Sequence, residues 1–200
     1  MRIMIISILV SGFIFAQGFL HNMDGEVVDG NGEPILLRGF GLGGWLVPEG
    51  YMLHNQAWIE GFESPTDIEN HVIDLIGQDE ANDFWELYRA NYVAQADIDK
   101  IAEWGFNHIR VPFHYKQFYD STGTETPIGY AIVDELITWC QPHNIYIILD
   151  MHCAPGAQNG GPISDSDGIA RLWLEDSYKE LTIQIWKEIA TYYADHTLIA

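Results

Sequence analysis

The chain has little positive charge. Its 200 residues include nine lysines and arginines against 29 aspartates and glutamates, which gives a formal net charge of −20. Such a surface repels nucleic-acid phosphates and anionic lipid head groups, so we expect no nucleic-acid or membrane partner. The acidic residues are spread along the chain, as is typical of a solvated surface. The negative field of this surface would neither attract nor repel a neutral substrate.

The residue patterns of several common sites are also missing. None of the eight histidines forms a His-Glu-x-x-His helix or a zinc-spaced Cys/His set, so the sequence predicts no metal site. The absence of a Gly-x-Ser-x-Gly elbow argues against an esterase of the α/β-hydrolase type. Residues 39–44 match the glycine spacing of a dinucleotide fingerprint, but Trp45-Leu46-Val47-Pro48 follows where a helix should begin. We therefore expect no nucleotide cofactor.

A long apolar run occurs only at the start of the chain. Met1-Arg2 is positive, residues 3–15 are mostly apolar, and Ala16-Gln17-Gly18 offers small residues for cleavage. The run is shorter than the roughly 20 apolar residues that a membrane span needs. The pattern predicts a signal peptide over residues 1–18 and a secreted, extracellular or periplasmic mature chain, with a membrane anchor as the alternative.

The chain has only two cysteines, Cys140 and Cys153. An exported protein with two cysteines invites a disulfide. However, Cys140 should end a helix before the strand at residues 145–150, and Cys153 follows that strand at its other end. The strand spans roughly 20 Å, whereas disulfide-bonded Cα atoms lie within about 7 Å. We predict two free thiols.

The apolar pattern alternates between strands and helices. Strands are predicted at residues 35–38, 107–111 and 145–149, with Pro112 ending the second. Helical spacing predicts helices over residues 65–76, 80–88, 94–104, 132–140 and 178–192. This alternation indicates a parallel sheet, and the strand at 145–149 has no polar face, so both its sides should be covered. A doubly wound open sheet and a closed barrel both fit.

Polar side chains follow each predicted strand. They are Glu49 after the first, Arg110 and His114 at the second, and Asp150, His152 and Asn159 at the third. Because chemistry gathers beyond the C-terminal ends of parallel strands, we expect these groups to share one rim. The loop that holds Glu49 also carries Trp45, Tyr51 and Trp58. These aromatic rings could stack on sugars or could fill the space beneath the loop.

Three segments resemble one known family. Residues 38–46, 105–113 and 149–160 resemble the first three strands and loops of glycoside hydrolase family 5, especially its exo-β-1,3-glucanase-type members. The resemblance implies a (β/α)₈ TIM barrel of which about three βα units are present. It also implies hydrolysis of β-glucans with retention of configuration. We expect no metal or cofactor, and a monomer at full length.

The resemblance also implies roles for individual residues. Arg110 would hydrogen-bond the nucleophilic carboxylate and keep it ionised. His152 and Glu49 would bind sugar hydroxyls, and Asn159 and Trp45 would contribute to the substrate site. Two departures leave the linkage open: Cys153 stands where many relatives have glycine, and Gly50 where exo-glucanases usually have proline. An endo-cellulase or mannanase specificity is therefore an alternative.

The family's two catalytic glutamates lie on its fourth and seventh strands, and the acid/base follows an asparagine. No Asn-Glu pair follows a predicted parallel strand here, and residues 198–200 lead toward a fourth strand. A barrel of this type needs around 250 residues. We therefore expect residues 19–200 to be the N-terminal part of a barrel that is inactive by itself. The alternative is a non-catalytic carbohydrate-binding protein.

Overall fold

The computed structural model describes residues 18–53, 62–120 and 123–200, and its strands form two sheets. Strands β1 (His21–Met23) and β2 (Glu26–Val28) pair antiparallel as a hairpin. Strands β3 (Gly39–Gly41), β4 (His108–His114) and β5 (Tyr146–Cys153) form a parallel sheet in that order. The predicted signal peptide, except Gly18, and Trp58 lie outside the described residues.

Helices connect the parallel strands, as the sequence predicted. They are α1 (Gly50–Leu53), α2 (Pro65–Ile76), α3 (Gln78–Tyr92), α4 (Gln95–Glu103), α5 (Ile128–Cys140) and α6 (Asp176–Tyr192). The start of α2 is fixed by Ser64, whose side chain accepts a hydrogen bond from the Asp67 amide, with Pro65 at the first helical position. Gly77 ends this helix at a φ of 90°. No helix in the described part of the chain has the length and hydropathy to cross a membrane.

The first parallel strand lies later than predicted, at Gly39–Gly41 instead of residues 35–38. The side chain of Asn107 explains the difference. Its oxygen accepts the Arg38 amide at 2.7 Å and its nitrogen donates to the Leu36 carbonyl at 3.0 Å. These side-chain bonds occupy the backbone groups that a sheet would need, so the ladder begins only at Gly39.

Strand β4 also continues through Pro112, which was predicted to end it. The Arg110 carbonyl accepts the Leu42 amide at 2.8 Å, so the backbone of Arg110 faces β3. Pro112, two residues on, faces the same side. Because β3 has already ended opposite Arg110, the missing N–H of Pro112 interrupts no ladder bond.

The core lies on one face of β4 and along the first half of β5. Ile109, Val111 and Phe113 are fully buried on alternate positions of β4, while Arg110 lies on the other face. In β5, Tyr146 and Ile147 are fully buried, whereas Leu149 is only partly covered. The prediction that this strand is covered on both sides therefore holds for its first half. In the second half, the polar side chains of Asp150 and His152 alternate with Met151 and buried Cys153.

The last residues of the chain extend the sheet. Ile199 forms a parallel bridge with Ile147. The Ile147 amide donates to the Leu198 carbonyl at 2.7 Å, and the Ala200 amide donates to the Ile147 carbonyl at 2.9 Å. Residues 198–200 thus occupy the place of a fourth strand beside β5, as predicted. Cys140 and Cys153 are buried free thiols near opposite ends of β5.

Candidate active site

Three side chains meet at the C-terminal end of the sheet. The Arg110 Nη2 lies 2.5 Å from Asp150 Oδ2. The same carboxylate oxygen lies 2.9 Å from His152 Nδ1, and Arg110 Nη2 is 3.1 Å from that nitrogen. Arg110 comes from β4, while Asp150 and His152 lie two residues apart on β5 and so share one face. The three side chains are partly exposed, which leaves them accessible at the rim.

Glu49 lies beside this group, in the loop after β3. It is only 2% exposed, and burial raises the pKa of its carboxyl. Electrostatic interactions with His152 and Arg110 and a hydrogen bond with Tyr51 oppose that rise. The structure therefore brings Glu49, Arg110 and His152 to one rim. The rim therefore carries a buried carboxyl acceptor, a guanidinium and an imidazole. These groups can form hydrogen bonds with a ligand that is rich in hydroxyls.

The loop has no room for a side chain at position 50. A Cβ built on Gly50 would lie 2.1 Å from the Phe62 carbonyl oxygen, so the backbone after Glu49 passes too close to Phe62 for any side chain. The glycine thus allows α1 to begin directly after Glu49 while residue 62 packs over it. This close approach explains why position 50 is a glycine.

Trp45 and Asn159, both expected at the substrate site, are engaged elsewhere. Trp45 is 3% exposed and its Nε1 donates to the Arg89 carbonyl at 2.8 Å, so its indole packs in the core. The side-chain oxygen of exposed Asn159 accepts from the Gly161 amide at 2.7 Å and from Ser164 Oγ at 3.1 Å. Trp45 thus supports the loop from beneath, and Asn159 orders its own loop.

A second polar cluster holds the rim together, and we name it the Asp165 clasp. It consists of Asp165, His114, Thr66 and Lys116. Asp165 Oδ2 lies 2.9 Å from His114 Nε2 and 3.3 Å from Lys116 Nζ. Thr66 donates to Asp165 through its amide at 2.9 Å and its hydroxyl at 2.7 Å. The clasp joins the N-terminus of α2, the end of β4 and the loop after β5.

The clasp fixes the charge of its members. Burial works against ionisation of Asp165, but hydrogen bonds from His114 and Thr66 and the charge of Lys116 lower the pKa of its carboxyl. Burial also lowers the pKa of His114. Asp165 is therefore an anion, and His114 is a neutral imidazole at neutral pH. The clasp lines one wall of a cavity of about 280 Å³ that also contains Tyr178.

The sequence analysis missed Asp165, Thr66 and Lys116, and it gave Asp150 no role. Asp165 lies in a run of similar residues with Asp167, and nothing local distinguishes the two. Its backbone has a φ of 58°, a conformation that aspartate tolerates better than most residues. In the described ranges, no three His, Cys, Asp or Glu side chains are grouped so as to hold a metal ion.

Polar groups gathered at the C-terminal ends of parallel βα strands are the arrangement found in the active sites of (β/α)₈ barrel enzymes. The chain belongs to glycosyl hydrolase family 5, because the cellulase model of that family matches residues 66–200. The resemblance in the sequence is thereby confirmed.

Individual relatives agree with this assignment. A β-xylosidase of Phanerodontia chrysosporium is 34% identical over 88% of this chain and 36% of its own length. A probable glucan 1,3-β-glucosidase A of Aspergillus niger is 28% identical over 80% of this chain and 38% of its own length. The chain therefore spans less than two fifths of the length of these relatives.

Solved structures identify the fold. The rutinosidase of Aspergillus niger superposes with a TM-score of 0.65 and 22% identity, over 79% of this chain and 44% of that enzyme. An endogalactoceramidase superposes with a TM-score of 0.60 and 17% identity, over 91% of this chain and 42% of the other. These similarities imply the TIM-barrel fold, of which the described residues supply three parallel strands and the bridge at Ile199.

Proposed function

We propose that the protein that carries this chain hydrolyses β-glucans with retention of configuration, and that this chain contributes one wall of the sugar site. The observation that carries the proposal is the meeting of Glu49, Arg110 and His152 at one rim. The whole protein would be secreted through the signal peptide at residues 1–18 and would act as a monomer.

The proposed mechanism is a double displacement between two carboxyl groups about 5–5.5 Å apart. Arg110, 42% exposed at its side chain, would pair with the nucleophilic carboxylate and favour its ionised form. Glu49 and His152 would bind hydroxyls of the sugar in the cleavage subsite. The acid/base and the nucleophile would come from polypeptide that corresponds to the remaining length of the relatives.

The names of the relatives favour β-linked sugars without choosing one. One is named a β-xylosidase and others glucan 1,3-β-glucosidases, so the shared chemistry is cleavage of a β-glycosidic bond. We propose β-1,3-glucan as the substrate. Because Glu49 is buried and acts as an acceptor, the site would select a sugar that offers hydroxyl donors at this point.

The test is a substrate panel for the protein that includes the downstream coding sequence. Laminarin, cellulose, mannan, an aryl β-glucoside and an aryl β-xyloside would be compared, and NMR would follow the first anomer released. We expect fastest hydrolysis of laminarin with the β-anomer formed first. Formation of the α-anomer first would contradict the mechanism. Saturable binding without turnover would favour the non-catalytic alternative.

A further inference from the structure

The contacts between Arg110, Asp150 and His152 determine where the imidazole proton lies. Arg110 Nη2, Asp150 Oδ2 and His152 Nδ1 are mutually separated by 2.5, 2.9 and 3.1 Å. Guanidinium groups only donate hydrogen bonds, and ionised carboxylates only accept them. The imidazole nitrogen must therefore either donate to Asp150 or accept from Arg110.

Only one arrangement satisfies the two shorter contacts. If Nδ1 of His152 were unprotonated, its lone pair would face the Asp150 carboxylate oxygen at 2.9 Å, which is a repulsive pair. If Nδ1 carries the proton, both it and Arg110 donate to Asp150 Oδ2, and a carboxylate oxygen can accept two hydrogen bonds. Both bonds are then charge-assisted, the stronger class.

We propose that Asp150 is a positioning residue that holds His152 in the Nδ1–H tautomer. The Nε2 atom of neutral His152 then presents a lone pair at the rim beside Glu49. This consequence for sugar binding rests on the proposed function, whereas the tautomer does not. The rim would offer two neighbouring acceptors, Glu49 and His152 Nε2, and would take two hydroxyl donors from a sugar.

The second histidine at the rim is held in the opposite form. The Lys116 amide donates to His114 Nδ1 at 3.1 Å, so this nitrogen is unprotonated. His114 Nε2 lies 2.9 Å from Asp165 and therefore carries the proton. Two aspartates thus select opposite tautomers on neighbouring strands, and His114 serves as an internal reference for His152.

The experiment is long-range ¹H–¹⁵N NMR of the protein labelled with ¹⁵N-histidine, at about pH 8, where an ordinary histidine is neutral. A His152→Gln variant assigns the signal. We expect the Nδ1–H pattern for His152 and the Nε2–H pattern for His114. In Asp150→Ala, Arg110 alone faces Nδ1, so His152 should change to Nε2–H. Asp150→Asn keeps a carbonyl acceptor and should restore Nδ1–H.

The matched control is Asp99→Ala, which removes an exposed partner of His143 at 2.7 Å and should leave the His152 signal unchanged. An Nε2–H pattern for His152 in the unsubstituted protein would overturn the proposal, as would survival of Nδ1–H in a folded Asp150→Ala variant. An unchanged His114 signal reports that the variant is folded. If it is not, the unsubstituted protein alone decides. Because no sugar is present, failure here is independent of failure to hydrolyse glucan.

Discussion

Replacing Asp165 by alanine should destabilise the protein strongly. The substitution removes the acceptor of four hydrogen bonds or ion pairs, two of them from Thr66 and one each from His114 and Lys116. The side chains of His114 and Asp165 are 4% and 11% exposed, so water cannot replace the lost partner at His114. A buried donor is therefore left unsatisfied.

The magnitude follows from which partners are buried. Because His114 is neutral, the loss is that of hydrogen bonds to a charged acceptor, which contribute roughly 1.5–3 kcal/mol each. The Lys116 side chain is 31% exposed, so solvent screens its ion pair with Asp165, and losing that pair adds little to the change in stability. For the two partners His114 and Thr66, we therefore expect Asp165→Ala to lower the free energy of unfolding by about 3–5 kcal/mol.

Asp167→Ala is the matched control, since it removes the same residue type from the same loop. Asp167 is 62% exposed and pairs with Arg171 at 2.5 Å, and such surface pairs contribute about 0–1 kcal/mol. Urea unfolding followed by tryptophan fluorescence would compare the two variants. Equal midpoints for Asp165→Ala and Asp167→Ala would refute the conclusion that the clasp stabilises the rim.

Four further outcomes are expected. In the complete enzyme, Arg110→Ala should lower kcat at least about tenfold, the equivalent of one charge-assisted bond, while Arg171→Ala should not; equal rates would remove Arg110 from the site. Glu49→Gln should raise the urea midpoint at pH 7, because burial disfavours the charged form of the carboxyl. The same variant should bind glucan more weakly by about 1.5–3 kcal/mol, and an unchanged Kd by calorimetry would contradict the proposed role. The lowered pKa values of His114 and Asp165 mean that the unfolded chain binds protons first on acidification. Stability should therefore fall below about pH 6.5 and again below about pH 4, and His114→Gln should flatten the first step; a flat profile for the unsubstituted protein would contradict this. The 200-residue chain alone should not cleave an aryl glycoside, and turnover by a pure preparation would disprove this expectation.

The sequence predicted those parts of the fold that depend on local periodicity. The helix at α2 was predicted with its correct first residue because its cap and proline are adjacent in sequence. The strand predicted at residues 35–38 was displaced because Asn107, about 70 positions away, occupies its backbone groups. Contacts of this kind leave no local pattern.

The candidate site also combines features that local sequence predicts with features that depend on distant contacts. Arg110 and His152 could be predicted to meet because the sequence places both in the C-terminal parts of neighbouring parallel strands. Trp45 could not be placed, because its burial depends on packing against α3 through the Arg89 carbonyl. Asp165 depends on partners from two other parts of the chain, and only the folded structure distinguishes it from Asp167.

The burial of the two thiols affects how the chain withstands oxidation. Oxidation and disulfide exchange proceed through the thiolate, which forms only where the thiol can ionise. Burial raises the pKa of Cys140 to about 12 and also raises that of Cys153, whose Sγ donates to the Ile163 carbonyl at 3.2 Å. In an oxidising compartment, both thiols of a folded chain would therefore stay unreactive. Only unfolded molecules would become cross-linked by disulfides.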